Sequence, residues 1–481
     1  MSALWTSGEI ADATGGTVHG AFDADTVTFD SREVGSGSLF IALQGEATDG
    51  HRFIDAAFAS GASGALVSAP ARGPHVLVAD TTLALDDLAR AARTRSDARI
   101  CGVTGSVGKT GTKEALFAAL DRAAPGRAHR SVKSYNNHTG VPLSLARMPR
   151  DAGFGVFEMG MNHPGELAQL TRLVRPHVAI VTAIAPAHRA FFASDEAIAD
   201  AKGEVFEGLE AGGTALIPHD SPHRDRLIAA AKPHAASILT FGSGEGADIR
   251  ARDAVAAPGG GSLVTAMLPE AELTFTISQP GAHWVSNALA VLGAVVALGG
   301  DLAAAGLALA DMAGLKGRGE RRTIALTGGG EALLIDESYN ANPASMAATL
   351  ATLAAQGVAG RRIAVLGAMR ELGAGSDAFH AGLAGPVEAA GVDFAILVGE
   401  EMAPLAKALS PTVKMTHVPN TAAAIDRLRG EIRPGDAVLV KGSNSIGLAA
   451  LVEALASGPS GLVYPERSPQ AAAEGLGTGK S

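Results

Sequence analysis

The stretch Arg99-Ile-Cys-Gly-Val-Thr-Gly-Ser-Val-Gly-Lys-Thr-Gly-Thr-Lys-Glu114 decides how the rest of the chain is read. The apolar run Ile100 to Val103 predicts a buried strand. Glycines at 105 and 108 predict a turn, after which Lys109 opens a helical segment, Thr112 to Arg122. A strand, a glycine-rich turn and a helix N-terminus together make an anion site. Backbone N–H groups converge there, and the helix dipole adds partial positive charge. Lys109 is placed to reach the β- and γ-phosphates, and the Thr110 hydroxyl to ligate Mg2+. The spacing is Gly-x-x-Gly-Lys-Thr, with Gly102 one residue outside the usual Gly-x4-Gly-Lys frame. Gly105, Ser106, Val107, Gly108, Lys109, Thr110 and Gly111 therefore form the expected ATP-binding segment.

Around this loop the 481 residues have room for three domains, or two large ones. Hydrophobic residues make up 47% and charged residues 18%, enough apolar material for several cores. Aromatic residues are only 4%, which suits tightly packed α/β layers better than a base-stacking surface. The net charge is −10 with no basic stripe, which argues against nucleic acid as a partner. The single cysteine, Cys101, excludes an internal disulfide framework and fits a reducing compartment. No apolar run reaches transmembrane length, and the N-terminus lacks the basic and apolar regions of a signal peptide. A soluble, cytoplasmic protein without membrane insertion is expected.

Three units are predicted. Residues 1–88 show short strands at 26–32, 38–43, 64–67 and 75–78 with a helix over 54–60, a small α/β unit without a phosphate loop of its own. Residues 89–313 add strands at 155–158, 178–182 and 215–217, separated by helical patterns, which predicts a mostly parallel sheet. A glycine-rich, strand-like insert at 242–281 precedes a helix from about His283. Residues 314–464 carry apolar runs at 333–335, 363–366, 395–398 and 437–440 alternating with helices, a doubly wound, Rossmann-like pattern. The tail, 465–481, is expected to be disordered.

Ligands gather at the carboxyl ends of parallel strands, and several polar residues sit there. Glu158 ends one strand, where it is either a Mg2+ ligand opposite Thr110 or a solvated carboxylate. His188 follows the turn after another, as ligand or ordinary loop histidine. Lys202 falls in a helix for which Ser194 is the expected N-cap; by pattern alone it is a surface lysine. Asp336 closes a strand in the third unit, placed for a ribose hydroxyl or an ammonium. Arg318 stands at the junction of the second and third units, where domain closure could bring its charge to a γ-phosphate.

Taken together, the motifs resemble the Mur ligases of peptidoglycan synthesis. They are Gly105 to Thr110, Tyr135-Asn-Asn-His-Thr-Gly-Val-Pro142, Glu158-Met-Gly-Met-Asn-His-Pro-Gly-Glu166, Ala187-His188, Ala201-Lys-Gly-Glu204, Ser286-Asn-Ala-Leu289, Gly317-Arg318, Asp336-Glu-Ser-Tyr-Asn-Ala-Asn-Pro343 and Val365-Leu-Gly367. They occur in order and span nearly the whole chain. The Ser338-Tyr-Asn-Ala-Asn-Pro343 and Asn162-His-Pro-Gly-Glu166 strings resemble the member that joins D-alanyl-D-alanine to UDP-N-acetylmuramoyl-tripeptide. The Asp-Asn-Pro-Arg string of the sibling that adds the third amino acid is absent.

The resemblance implies a monomeric, three-domain α/β enzyme. It would have a small N-terminal UDP-binding domain, a central ATP-binding P-loop domain and a C-terminal Rossmann-like domain that brings the dipeptide. It implies ATP and two Mg2+ ions, one on Thr110 and Glu158, the other on His188 and a carbamylated Lys202. It also implies that Lys109 and Arg318 neutralise charge and that Asn287 and Asp336 contact the nucleotide. Ser31, Arg32, Asn136, Asn137 and Thr139 would contact the UDP-linked substrate. Several positions depart from the family pattern: Trp284 replaces an adenine-side asparagine and offers a ring for stacking, Ala368 replaces an aspartate, Arg370 a non-basic residue and Asn444 an arginine. A related amide ligase such as a folate polyglutamate enzyme, a P-loop kinase, and a non-catalytic nucleotide-binding module are the rival expectations. A second metal site and an amine-bearing third domain would be idle in the last two.

Overall fold

The structure, a computed structural model, describes residues 3–45, 48–186, 190–257, 260–326 and 329–457. His188 and the expected tail at 465–481 lie outside the described residues. The chain divides into two compact units, Met1–Met312 and Ala313–Ser481.

The first unit holds two larger sheets. Near the N-terminus, Thr17–His19, His75–Leu77, Ala62–Val67, Ser38–Ile41 and Thr26–Thr28 lie side by side in that order, parallel except for the first pair. The strand expected over 26–32 stops at Thr28. Asp30 then accepts the Arg32 backbone N–H at 3.0 Å and turns Ser31–Glu33 into a short 3-10 helix. A side chain that satisfies the backbone locally competes with the sheet ladder, which is why the pairing ends there. A helix expected from neither end, Thr81–Thr94, is started by Asp80, whose carboxylate accepts from Thr82 and Leu83. It runs unbroken through positions 88 and 89.

The second sheet has nine strands. From one edge to the other they are Ala271–Ile277, Ser262–Leu268, Ile249–Ala256, Ser237–Gly242, Thr214–Pro218, Val178–Val181, Arg99–Thr104, Phe154–Glu158 and Ala128–Arg130. The strand-like insert is the antiparallel extension made by the first two of these against the third; the remaining neighbours are parallel. We label four elements around the phosphate loop: β1 (Arg99–Thr104), α1 (Lys109–Ala123), β2 (Phe154–Glu158) and β3 (Val178–Val181). Both faces of the central strands are covered. Cys101 and Val103 pack with α1 and the helix Ala282–Ala297 on one side. Ile100 packs with Phe157, Leu167 and Phe206 on the other. Each such leucine or valine taken wholly out of water stabilises by about 1.5–3 kcal/mol, which explains the near-continuous apolar runs. The two sheets of this unit are also stitched together: Leu143 and Ala146 enter the N-terminal core, and Trp5 Nε1 donates to Ala146 O at 2.8 Å.

The second unit is a six-stranded sheet in the order Glu320–Ala325, Glu331–Glu337, Ala437–Lys441, Arg362–Gly367, Phe394–Val398 and Lys414–Val418. Only the first pair is antiparallel. Helices cover both faces, giving the doubly wound layer that the alternating pattern predicts.

Candidate active site

Helix α1 begins at Lys109, so the lysine and threonine of the loop belong to the first helical turn. Gly108 precedes it with φ of +85°, a conformation that disfavours any side chain. A Cβ at Gly108 would also stand 2.8 Å from Asn287 Oδ1, so the helix Ala282–Ala297 brings Asn287 against the loop. Lys109 Nζ donates to Gly105 O at 2.7 Å, and Ser106 Oγ accepts the Ala185 N–H at 3.1 Å. The loop is thus closed on itself and on the segment that follows β3.

Opposite it, β2 ends in Glu158, which is fully buried. Thr110 Oγ1 donates to Glu158 Oε2 at 2.8 Å and Asn136 Nδ2 donates to Oε1 at 2.8 Å. A buried carboxylate is costly unless charge and hydrogen bonds compensate it, and here Lys113 Nζ lies 3.9 Å away. A hydroxyl and a carboxylate side by side are the hard oxygen donors Mg2+ takes, so these residues fit one ion. Among the described residues, no group of three or more His, Cys, Asp or Glu side chains could hold a metal.

Lys202 lies in the helix Asp195–Gly203, where Ser194 Oγ accepts the Ala197 N–H at 3.2 Å as the cap. It is not a surface lysine: it is 1% exposed. Burial, and then the Lys109 ammonium, push its pKa well below the usual lysine range, favouring the neutral amine. Glu204, just beyond that helix, accepts the Gly165 and Ala168 N–H groups at 2.7 and 3.2 Å and so caps the helix Glu166–Val174. The Asn162-to-Glu166 string and the Lys202 helix are joined by that carboxylate.

The expected substrate residues are placed in two groups. Asn137 Oδ1 accepts from Thr139 Oγ1 at 3.1 Å and from Gly140 N–H at 2.9 Å, so the pair holds the start of the helix Gly140–Ala146. Arg32 is exposed and forks onto Asp30, whose carboxyl is lowered to about 2, foremost by that hydrogen bond. Ser31 precedes it in the same turn.

Arg318 and Asp336 belong to the second unit and lie close together within it. Asp336 Oδ2 accepts the Gly317 N–H at 2.8 Å, while Oδ1 accepts the Ser338 N–H and hydroxyl at 3.0 and 2.6 Å. The Arg318 guanidinium lies 4.3 Å from the Tyr339 ring centroid. The departures at 368 and 370 converge on one place: Ser443 N–H donates to Ala368 O, and Arg370 N–H donates to Ser443 Oγ, while Arg370 pairs with Glu401. Trp284 does not offer an open ring. It is 8% exposed, packed in the core, and its indole tip would stand 2.9 Å from a Cβ at Gly111.

Sequence reasoning missed two residues that the structure brings to this site. Lys113, four residues beyond Lys109 on the same helix, is fully buried and donates to Ser131 O at 2.9 Å and Lys133 O at 2.7 Å. Its i+3 spacing from Thr110 was the available signal. Glu33, next to Arg32, has hydrogen bonds from Tyr135 at 3.0 Å and Arg147 at 3.3 Å and an ion pair with Lys133. Nothing local marks it.

Residues 24–93 match the Mur ligase family catalytic domain, 103–295 the Mur ligase middle domain and 317–444 the Mur ligase glutamate ligase domain. A UDP-N-acetylmuramoyl-tripeptide–D-alanyl-D-alanine ligase of Escherichia coli K12 is 34% identical over 456 residues, covering 94% of this chain and 98% of its own length. The chain belongs to the Mur ligase family. Among solved Mur ligases, MurF from Acinetobacter baumannii is similar with a TM-score of 0.81 and 30% identity, covering 94% of this chain and 98% of its own. MurF ligase from Thermotoga maritima in complex with ADP gives 0.74 and 26% identity, with 89% and 96% covered. The three-domain α/β Mur ligase architecture expected from the motifs is the one observed. No helix among the described residues is long and apolar enough to cross a membrane.

Proposed function

We propose that this Mur ligase is an ATP-dependent amide ligase that adds D-alanyl-D-alanine to UDP-N-acetylmuramoyl-tripeptide in peptidoglycan precursor synthesis. The observation that carries the reading is the buried Thr110–Glu158–Asn136 hydrogen-bonded set at the end of β2, facing the Lys109 loop. The relatives that match across nearly the full chain bear that ligase's name. Residues 1–88, 89–313 and 314–464 would act as the UDP-binding, ATP-binding and amine-bringing domains.

In this reading the substrate carboxylate oxygen attacks the γ-phosphorus, ADP leaves, and an acyl phosphate forms. The dipeptide amine then attacks the acyl carbon; inorganic phosphate leaves and the amine gives up a proton. Lys109 and Arg318 supply fixed positive charge where two anions must meet. Gly105 to Gly111 cradle the phosphates, Asn287 and Asp336 orient the nucleotide, and Ser31, Arg32, Asn136, Asn137 and Thr139 hold the UDP-linked substrate. Thr110 and Glu158 would hold one Mg2+, which when bound neutralises charge on the phosphoryl oxygens. The neutral Lys202 amine can attack CO2 and release a proton to become a carbamate, an oxygen donor for a second Mg2+ with His188. In the same reading the enzyme would act as a monomer in the cytoplasm, where ATP and nucleotide-linked precursors are at hand.

Amine-dependent phosphate release tests the reading. Protein, ATP and Mg2+ are mixed with UDP-N-acetylmuramoyl-tripeptide, with and without D-alanyl-D-alanine, and products are weighed by mass spectrometry. Phosphate plus a pentapeptide product only in the presence of the dipeptide is expected. A stable phosphorylated product without amine would make it a kinase, and tight ATP binding without turnover would make it a binding module.

A further inference from the structure

The segment 131–137 is held from two sides, by a lysine on helix α1 and by a carboxylate in the short turn Ser31–Glu33 that follows the strand Thr26–Thr28. From α1, Lys113 Nζ donates to Ser131 O and Lys133 O. From the Ser31–Glu33 turn, Glu33 takes the Lys133 ammonium, the Tyr135 hydroxyl at 3.0 Å and the Arg147 guanidinium at 3.3 Å. Arg147 also donates through Nε to Val27 O, in the strand that leads into the Glu33 turn. Between the two anchors, Lys133 sits at φ of +54°. A non-glycine residue rarely adopts that region and keeps it only where the surroundings over-determine it. Here its carbonyl and its ammonium are both fixed, by Lys113 and Glu33 respectively.

The segment leads to Asn136, whose side chain donates to Glu158 and whose carbonyl accepts the Gly160 N–H at 2.7 Å. Ser131 Oγ accepts the Glu158 N–H at 3.2 Å at the other end. A continuous set of hydrogen bonds therefore runs from Glu33, beside Ser31 and Arg32, to the carboxylate paired with Thr110. Burial acts to raise the Glu33 carboxyl, but the hydrogen bonds from Lys133, Tyr135 and Arg147 outweigh it, so it stays ionised below the ordinary range.

We propose that Glu33 is a positioning residue: it locks the left-handed turn at Lys133 and so presents Asn136 to Glu158, making engagement of the UDP-linked substrate depend on the state of the phosphate site. This rests on the reading above that Ser31 and Arg32 face the UDP-linked substrate and that Thr110 and Glu158 serve the nucleotide. Two energetically linked sites change one another's affinity reciprocally, so loosening the link weakens substrate binding more than it slows chemistry.

The test uses the full chain with Glu33→Gln, Glu33→Ala, Lys133→Met and the Glu33→Ala/Lys133→Met double variant. In the ligase assay, Glu33→Gln is expected to raise KM for the UDP-linked tripeptide at least about fivefold more than it lowers kcat. The double variant is expected to be no worse than Glu33→Ala, because one interaction cannot be lost twice. Amide hydrogen exchange without ligand is expected to quicken in 131–137 of Glu33→Gln while β1 keeps wild-type protection. A KM and an exchange pattern both unchanged in Glu33→Gln would overturn the proposal. So would faster exchange throughout the first unit, which would make Glu33 a general fold residue. If the wild-type chain does not turn over the tripeptide, the proposed function fails, and the exchange comparison still decides the role of Glu33.

Discussion

The Thr110 hydroxyl and the Glu158 carboxylate share a hydrogen bond of 2.8 Å, with Glu158 wholly out of solvent at the end of β2. A charge held in that place is kept for what it faces, and it faces the loop that carries Lys109. Replacing it with a neutral amide of the same shape removes the charge and keeps most of the packing. Glu158→Gln is expected to lower turnover by about 100-fold or more, the scale of losing one charge-stabilising group in a water-poor site. Amine-dependent phosphate release measures it, and turnover within a few-fold of wild type would remove Glu158 from the reaction.

Lys202 makes a prediction with a definite sign. Its pKa in the fold lies below that of the unfolded chain, because burial and the Lys109 charge disfavour the proton. The unfolded state therefore binds the proton more readily, and the site destabilises the fold at any pH below the unfolded lysine value. That cost shrinks as pH rises toward about 10.4, by at most about 1.4 kcal/mol per pH unit while one proton separates the states. In CO2-free buffer, Lys202→Met is expected to be more thermostable than wild type at neutral pH, with the gap closing in alkali. Added bicarbonate is expected to stabilise the wild type alone if the amine is carbamylated. A gap that widens with pH would contradict the burial argument.

Gly111 and Trp284 form a matched pair. A methyl group at 111 would stand 2.9 Å from the indole, which is itself fixed in the core of the central sheet. Gly111→Ala is expected to cost about 1–3 kcal/mol of stability in the wild-type background, as overpacking does. In a Trp284→Asn background, which restores the side chain common in the family, that cost is expected to fall, giving a coupling of about 0.5–3 kcal/mol in denaturant titrations. Additive effects would show that the indole moves aside freely.

Asp336 organises the Arg318 loop through three accepted hydrogen bonds within the second unit. Asp336→Asn replaces one carboxylate oxygen by an amide NH2, which donates and cannot accept. Either Gly317 or Ser338 then loses its partner, a penalty of about 1–3 kcal/mol for a buried group. The C-terminal unit is expected to lose that much stability, and kcat to fall with it as Arg318 loses its fixed place. Chemical denaturation followed alongside turnover checks both, and an unaffected kcat would separate the Arg318 loop from the reaction.

The phosphate loop, the alternation of strands and helices and the Ser194 cap were legible because each rests on neighbours in the sequence. Glu158 was legible as the polar end of an apolar strand. The opening of the helix at Lys109 was legible too, because Gly108 just before it takes up the reversal. Lys202 read as a surface lysine by its local pattern, and only the packing of its helix buries it. Lys113 had only its spacing from Thr110 to mark it, while Glu33 and the Gly111–Trp284 pair were not legible, because each depends on contacts between segments a hundred residues or more apart. The antiparallel strands at the sheet edge could be located but not ordered, since register is set by pairing partners and not by composition.

One buried residue has a practical consequence. Cys101 is the only thiol of the chain, lies wholly inside β1 beneath the phosphate loop, and burial pushes its pKa far up, so it is inert in the closed fold. An alkylating reagent can reach it only in the moments when the central sheet comes apart. The rate of labelling then counts those moments, so the chain carries its own clock for the opening of the domain that cradles the nucleotide, and any ligand gripping that loop slows the clock in proportion to its hold.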